Sequence, residues 1–289
     1  LKSLQKELGI EFVTGSLPEE KVYLFKTELP NNVAEDLRQA IELRMEENIP
    51  LRPQDAMFDY GIIPPRAGSD KISVKVSAAP SKMVETYLEV MGTAGFRAVS
   101  LRVEAEVLSR TVIPRGDKGT HMVVSIGESR TGLSVVDNGS VELSLTVAIG
   151  GDAFTSALQK HFSVGVEEAL KIKEERGFVK NRENMELFFS LMNAVSSIRD
   201  EVSKLSLYWQ THGASTGAKE RKIEKIILCG RDSNLAGFDE YLSLAMKIPV
   251  EVANVWRNVF SFEDRIPRIP FLDSLDYASA IGLALPEAD

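Results

Sequence analysis

An α/β chain of two unlike halves is what this sequence predicts, and three observations carry that reading. Three strand-like runs follow one another closely between residues 121 and 150, two of them joined by Asp137-Asn138-Gly139. From there to the end, helix-like and strand-like runs alternate. Before residue 118 the apolar spacing switches between two and about four residues, the periods of strand and helix. Composition agrees: with 289 residues, 44% hydrophobic and 26% charged, the chain is of ordinary globular type and long enough for roughly two domains. Its 34 Lys+Arg against 42 Asp+Glu give a net charge of −8 with no basic run, which excludes nucleic-acid binding as the main task. The single cysteine, Cys229, can form neither an internal disulfide nor a multi-thiolate metal site, and it fits a reducing compartment. No uninterrupted apolar run of about 18 residues offers a membrane span.

The first half opens on LKSLQKELG, a helix-like phrase without an initiator Met, so an N-terminal part is expected to be missing. VYLFKTEL at 22–29 is rich in strand formers. In the next segment Val33, Leu37, Ile41 and Met45 recur every four residues on one helix face, with Asn32 as the expected N-cap and Pro50 as the stop. KISVKVSA at 71–78 alternates Ile72, Val74 and Val76 with polar residues, a half-buried strand. Residues 82–95 form a helix that ends at glycine. A strand, FRAVSLRV, and a helix at 104–112 complete the half, and the polar turn PRGDKG at 114–119 marks the expected domain boundary.

In the second half, 121–127, 131–136 and 140–150 are the three strands, and Asn138-Gly139 is a strong two-residue hairpin signal. Helices follow at about 153–161, 164–176 and 184–210, then an expected mobile loop at 211–222. IEKIILC at 223–229 is a buried strand, LAGFDEYLSLAM a helix, PVEVANV at 249–255 a short strand and YASAIGLAL at 277–285 a last helix. With the helices of 164–222 set aside, the order is β-β-β-α-β-α-β-α, the ribonuclease-H-like half of the actin and sugar-kinase architecture.

In actin-like proteins nucleotide phosphates lie between two glycine-rich hairpin turns, one per half, because backbone N–H groups there approach the oxygens closely. VSIGESRTGLSVVDNG at 124–139 has that layout, and AIGGDAFTSALQKHF at 148–162, VEEALKIKEERG at 166–177, IILCGRDSNLAGF at 226–238 and YASAIGLAL follow in order. Together with LPEEKVYLFKTELP, ENIPLRPQDAMFDY at 47–60, KISVKVSAAPSKMVETYLEVMGTAG and LRVEAEVLSR at 101–110, this series resembles the type IV pilus assembly PilM family, actin-like relatives of the FtsA family. The resemblance covers nearly the whole chain. It implies an actin-like, ribonuclease-H-like two-domain fold with an inserted α/β subdomain and a helical insertion. Residues 1–118 would be the first half, with a remnant of the N-terminal subdomain and an inserted peptide-binding subdomain. Residues 119–289 would be the second, with the insertion at about 164–222. The family's N-terminal strand pair, with its first phosphate loop, has no counterpart here.

The resemblance also implies a site. Gly127, Ser129 and Thr131 match the second phosphate loop; Gly150, Gly151 and Asp152 match the base of the nucleotide cleft; Lys173 matches the lysine that reaches toward adenosine. Gly230, Arg231, Asn234 and Gly237 fall in the adenosine loop, and Glu104 opens the first connecting helix. Two positions depart from the pattern. Ser125 stands where the family has Asp, which weakens any hold on hydrated Mg²⁺, and Arg231 replaces a second glycine. Read without the resemblance, Gly127, Gly150 and Gly151 are equally glycines of turns and bulges. His121, His161 and His212 sit on unrelated elements and make no metal site, Cys229 reads as a small core residue, and no GxSxG, HExxH or Walker A pattern occurs.

The function implied is that of a non-catalytic or at most weakly ATP-hydrolysing adaptor, cytoplasmic and peripheral to the inner membrane. Its partners would be the N-terminal cytoplasmic peptide of a bitopic pilus-assembly protein, held within about residues 20–100, and other pilus machinery proteins. ATP with Mg²⁺ is the cofactor the family suggests. The alternative is an ATPase or small-molecule kinase of the same superfamily, which needs a carboxylate for the metal and a base for the acceptor. A filament-forming relative of FtsA ranks third, since no amphipathic tail follows the last helix in this sequence.

Overall fold

The alternation at 71–78 and the four-residue spacing at 37–45 fold against each other. In a computed structural model that describes residues 1–31, 36–63, 70–212 and 222–286, Leu37, Ile41 and Met45 of α2 (Leu37–Asn48) are buried against Val74, Val76 and Ala78 of β4 (Lys71–Pro80) and Leu29 of β2 (Tyr23–Pro30). The expected cap Asn32, Val33 and residues 213–221 of the expected loop lie outside the described residues. β4 is the centre of an antiparallel sheet of order β2-β4-β3, with β3 at Ala56–Ile63. A second, parallel pair joins β1 (Phe12–Leu17) to β5 (Arg97–Val103). Helix α3 (Ser81–Thr93) packs near it because Gly15 has no side chain: a Cβ there would lie 2.7 Å from Met91 Cε. Helix α1 (Lys2–Leu8) buries none of its residues and ends at Gly9 in the left-handed conformation.

These elements form one compact unit, Leu1–Glu104, and Ala105–Asp289 form the other. The division falls after Glu104, the first residue of helix α4 (Glu104–Val112), and the rest of α4 is bonded into the second unit. Thr111 Oγ1 donates to the Ala278 carbonyl at 2.9 Å, and Gly282 lies so close to Val107 that a Cβ would sit 2.3 Å from its carbonyl oxygen.

The second unit is built on a five-stranded sheet, order β10-β9-β6-β7-β8, with β6 at Thr120–Ile126, β7 at Thr131–Asp137, β8 at Ser140–Val147, β9 at Lys225–Cys229 and β10 at Val250–Val252. β6, β7 and β8 are an antiparallel meander, and β9 and β10 add in parallel on the other side of β6. The β7–β8 turn is the predicted one: Asn138 and Gly139 have φ of 51° and 76°, the positive values a two-residue type I′ turn requires. Helices α5 (Gly151–Phe162), α6 (Val166–Arg176), α7 (Met185–His212) and α8 (Phe238–Met246) surround one core, and α9 (Ala278–Ala284) ends the unit. Leu187, Leu191, Val195, Ile198 and Val202 of α7 share that core with Met122, Val124, Leu133 and Val135 of the sheet. Helices α6 and α7 are therefore part of the central packing of the unit. Phe188 stacks on Phe178 and Trp209 is buried, whereas Phe189 and Tyr208 are exposed.

Candidate functional site

The β6–β7 hairpin and the start of α5 come together through backbone alone. Gly127 N–H donates to the Arg130 carbonyl at 2.9 Å and closes the turn. The Gly127 and Glu128 carbonyls then accept the N–H groups of Gly151 and Asp152 at 2.9 and 2.8 Å. These are two of the donors that an α-helix leaves without intrahelical partners, so the turn caps α5. Gly150 permits the approach, since a Cβ there would lie 2.5 Å from Arg130 N and Glu128 O. Thr131 Oγ1 donates to the Ile149 carbonyl at 2.7 Å, so its hydroxyl faces the backbone. Ser129 and Asp152 are exposed beside this junction.

The segment after β9 reaches the same place from the other side. Gly230 has φ +85°, and a Cβ would meet the Ile126 carbonyl oxygen at 2.6 Å, so only glycine fits. A 3₁₀ turn at Arg231–Asn234 follows, closed by Ser233 Oγ donating to the Gly230 carbonyl at 2.6 Å. The first residues of this turn decide the chemistry. Asp232 is 6% exposed and its carboxylate lies over Gly151, 2.0–2.2 Å from where a Cβ would be. Lys173, 7% exposed on the inner face of α6, donates to Asp232 Oδ1 at 2.5 Å. Arg231 points outward, with Nε 3.9 Å from Asp276 Oδ2.

Gly127, Gly150, Gly151, Asp152, Lys173 and Gly230 are thus brought together at the ends of β6 and β9. Asn234 is half-buried in the same turn, Gly237 is close enough to Phe178 that a Cβ would sit 2.7 Å from its carbonyl oxygen, and Glu104 belongs to the first unit as the opening residue of α4. Two residues that sequence reasoning missed hold the arrangement. Asp232 is one, and the signal for it was Lys173 itself: four residues after the buried Ala169, it had to face inward and so needed an acid. Asn184 is the other. Its Nδ2 donates to the carbonyls of Arg176, Gly177 and Val179 at 3.0–3.2 Å and fixes the end of α6. His121 is buried at the start of β6 with Nε2 3.0 Å from Asp117 Oδ1, and no cluster of three His, Cys, Asp or Glu side chains suited to a metal occurs among the described residues. A depression of about 330 Å³ on the second unit, lined by Arg110, Arg115, Lys118, Val136 and Asn138, contains none of the predicted site residues.

Actin-like folds imply bound Mg-ATP, and the residues present do not fit it. The outer face of Gly151 is covered by a carboxylate, the lysine expected at adenosine is committed to that carboxylate, and the first N–H groups of α5 are already hydrogen-bonded. Ser125, half-buried on β6, offers a hydroxyl where the metal would need an acid.

The meander-plus-parallel sheet and the hairpin seated on a helix start define an actin-like protein. Structural similarity agrees: the fold superposes on MreB5 of Spiroplasma citri bound to ADP with a TM-score of 0.54 at 17% identity, over 70% of this chain and 64% of that one. It superposes on the protein of a PilM-PilN type IV pilus biogenesis complex with a TM-score of 0.77 at 20% identity, over 98% of this chain and 82% of that one. The family model for the type IV pilus assembly protein PilM matches residues 3–288, and the chain belongs to that family.

Proposed function

We propose that the chain is a cytoplasmic adaptor of type IV pilus assembly, peripheral to the inner membrane, which holds the N-terminal cytoplasmic tail of a bitopic pilus-assembly protein and links it to other parts of the machine. Family membership supports the setting, and likeness to the PilM-PilN complex supports the kind of partner. The observation that carries the reading is a groove on the first unit, about 240 Å³, lined by Leu29, Pro30, Ala40, Leu43, Arg44 and Glu47. It lies between α2 and β2, and β2 pairs on one side only among the described residues. An edge strand beside an apolar groove suits an extended peptide: main-chain hydrogen bonds supply affinity and pockets supply specificity. Leu43, 74% exposed, is the apolar contact at its rim, and Arg44 and Glu47 pair at 2.8 Å alongside it.

Calorimetric titration with a synthetic peptide of the partner's tail tests this. Saturable binding that weakens about tenfold in Leu43→Asp, with melting unchanged, is expected. Absence of binding to the wild-type protein would overturn the adaptor reading.

A further inference from the structure

The groove uses the first unit and leaves unexplained a sealed charge pair on the second. We infer that Lys173 and Asp232 fill the cleft face of this unit from within, so that the chain keeps the backbone frame of a nucleoside-triphosphate site and excludes the nucleotide. Asp232 is the excluding residue.

Four observations converge on it. The glycine that would let a ligand approach α5, Gly151, is covered by the Asp232 carboxylate at contact distance, so the space a missing side chain creates is already taken. That carboxylate and the Lys173 ammonium are each 8% exposed in their side chains and are bonded to each other. A ligand that displaced either one would leave the other buried without its counter-ion, a strongly unfavourable state. A triphosphate is itself a polyanion, and the Lys173 ammonium that could face it is already neutralised by Asp232. The first N–H groups of α5, those of Gly151 and Asp152, are held by the Gly127 and Glu128 carbonyls. Arg231 tethers the outside of the turn to Asp276 at 3.9 Å.

The pair also braces the unit from within. Asp232 belongs to the turn after β9 and Lys173 to α6, so the ion pair joins two segments of the unit and packs against a third at Gly151 of α5. Partner binding by this protein is then independent of nucleotide state, which deepens the adaptor reading without depending on it.

Calorimetry of the full-length protein with Mg-ATP, and with Mg-ADP as a second probe, tests the inference. Wild type is expected to show no saturable binding up to about 1 mM, the weak end of specific affinity. Asp232→Ser, which removes the carboxylate and frees Lys173, is expected to gain saturable binding at least about tenfold tighter than that limit. Circular-dichroism melting checks that the variant folds. If Asp232→Ser does not fold, the double variant Lys173→Gln/Asp232→Ser removes both charges and takes the same titration with the same expected gain. Saturable binding by the wild type would overturn the inference, and so would a folded variant that stays silent. The peptide titration is run on the same samples, so loss of peptide binding would count against the adaptor alone.

Discussion

The two units dispose of their interior faces in opposite ways. Around α2 the first unit buries only apolar groups, Leu37, Ile41 and Met45 against Val74 and Val76, and leaves the backbone edge of β2 and the side chain of Leu43 facing out. Around the start of α5 the second unit encloses a carboxylate and an ammonium and uses its own carbonyls to satisfy the helix start. The first arrangement presents, among the described residues, a strand edge beside an apolar groove and is suited to capture a peptide. The second has its polar groups matched internally and is suited to hold three segments still. On the reading proposed above, the second unit is braced by its own ion pair and recognition belongs to the first.

Removing one end of the brace has the largest expected effect. Lys173→Met leaves Asp232 buried without its partner, a change that typically costs about 3–5 kcal/mol, or roughly 6–20 °C in the melting of a unit this size. Lys173→Met/Asp232→Leu removes both charges, and well-packed apolar replacements of a buried pair are often neutral or stabilising. The double variant is expected to melt close to the wild type. If the two single losses simply added in the double variant, the pair would not be acting as a unit.

The corresponding cut in the first unit removes shape instead of charge. Met45 is fully buried between α2 and the sheet, and Met45→Ala loses its transfer energy and leaves a cavity, about 2–5 kcal/mol. Because α2 also walls the groove through Ala40, Leu43 and Arg44, peptide affinity is expected to fall with stability, while Lys173→Met leaves peptide affinity unchanged. Loss of peptide binding in both variants would erase the contrast between the units.

How far all this was legible in the sequence depends on how local the cause is. The Asn138-Gly139 turn was readable because a two-residue hairpin needs two positive φ angles and those residues adopt them. The meander, α4 and the face of α2 were readable from periodicity. β1 was missed because Gly15 interrupts its pattern, and that glycine answers to Met91, 76 positions away. The site residues show the same divide. Glycines at 127, 150, 151 and 230 could be named, but the last three are explained by a close approach from a distant segment: Arg130 and Glu128 on Gly150, Asp232 on Gly151, Ile126 on Gly230. The Lys173–Asp232 bond joins residues 59 apart and has no local signature beyond the buried side of a helix.

A third polar contact, between the sealed pair and the open rim in exposure, sharpens the comparison with the smallest expected effect. Asp117 Oδ1 faces His121 Nε2 at 3.0 Å and accepts the Gly119 N–H at 2.7 Å, with Lys225 contributing further positive charge and Glu224 nearby on the Thr120 backbone. The His121 hydrogen bond, then that of Gly119, holds the Asp117 carboxyl below its ordinary range, against the smaller opposing effect of burial. A carboxylate lowered in the folded state stabilises fully above its unfolded pKa, near pH 4, and that contribution is lost as pH falls through the folded value. Asp117 is 29% exposed in its side chain, so solvent screens it and the effect stays below about 1 kcal/mol. Asp117→Asn is accordingly expected to flatten the acid limb of the melting curve of the second unit below about pH 4. An acid limb equally steep in both proteins would mean that this contact, unlike Lys173–Asp232, does nothing for the fold that depends on its charge.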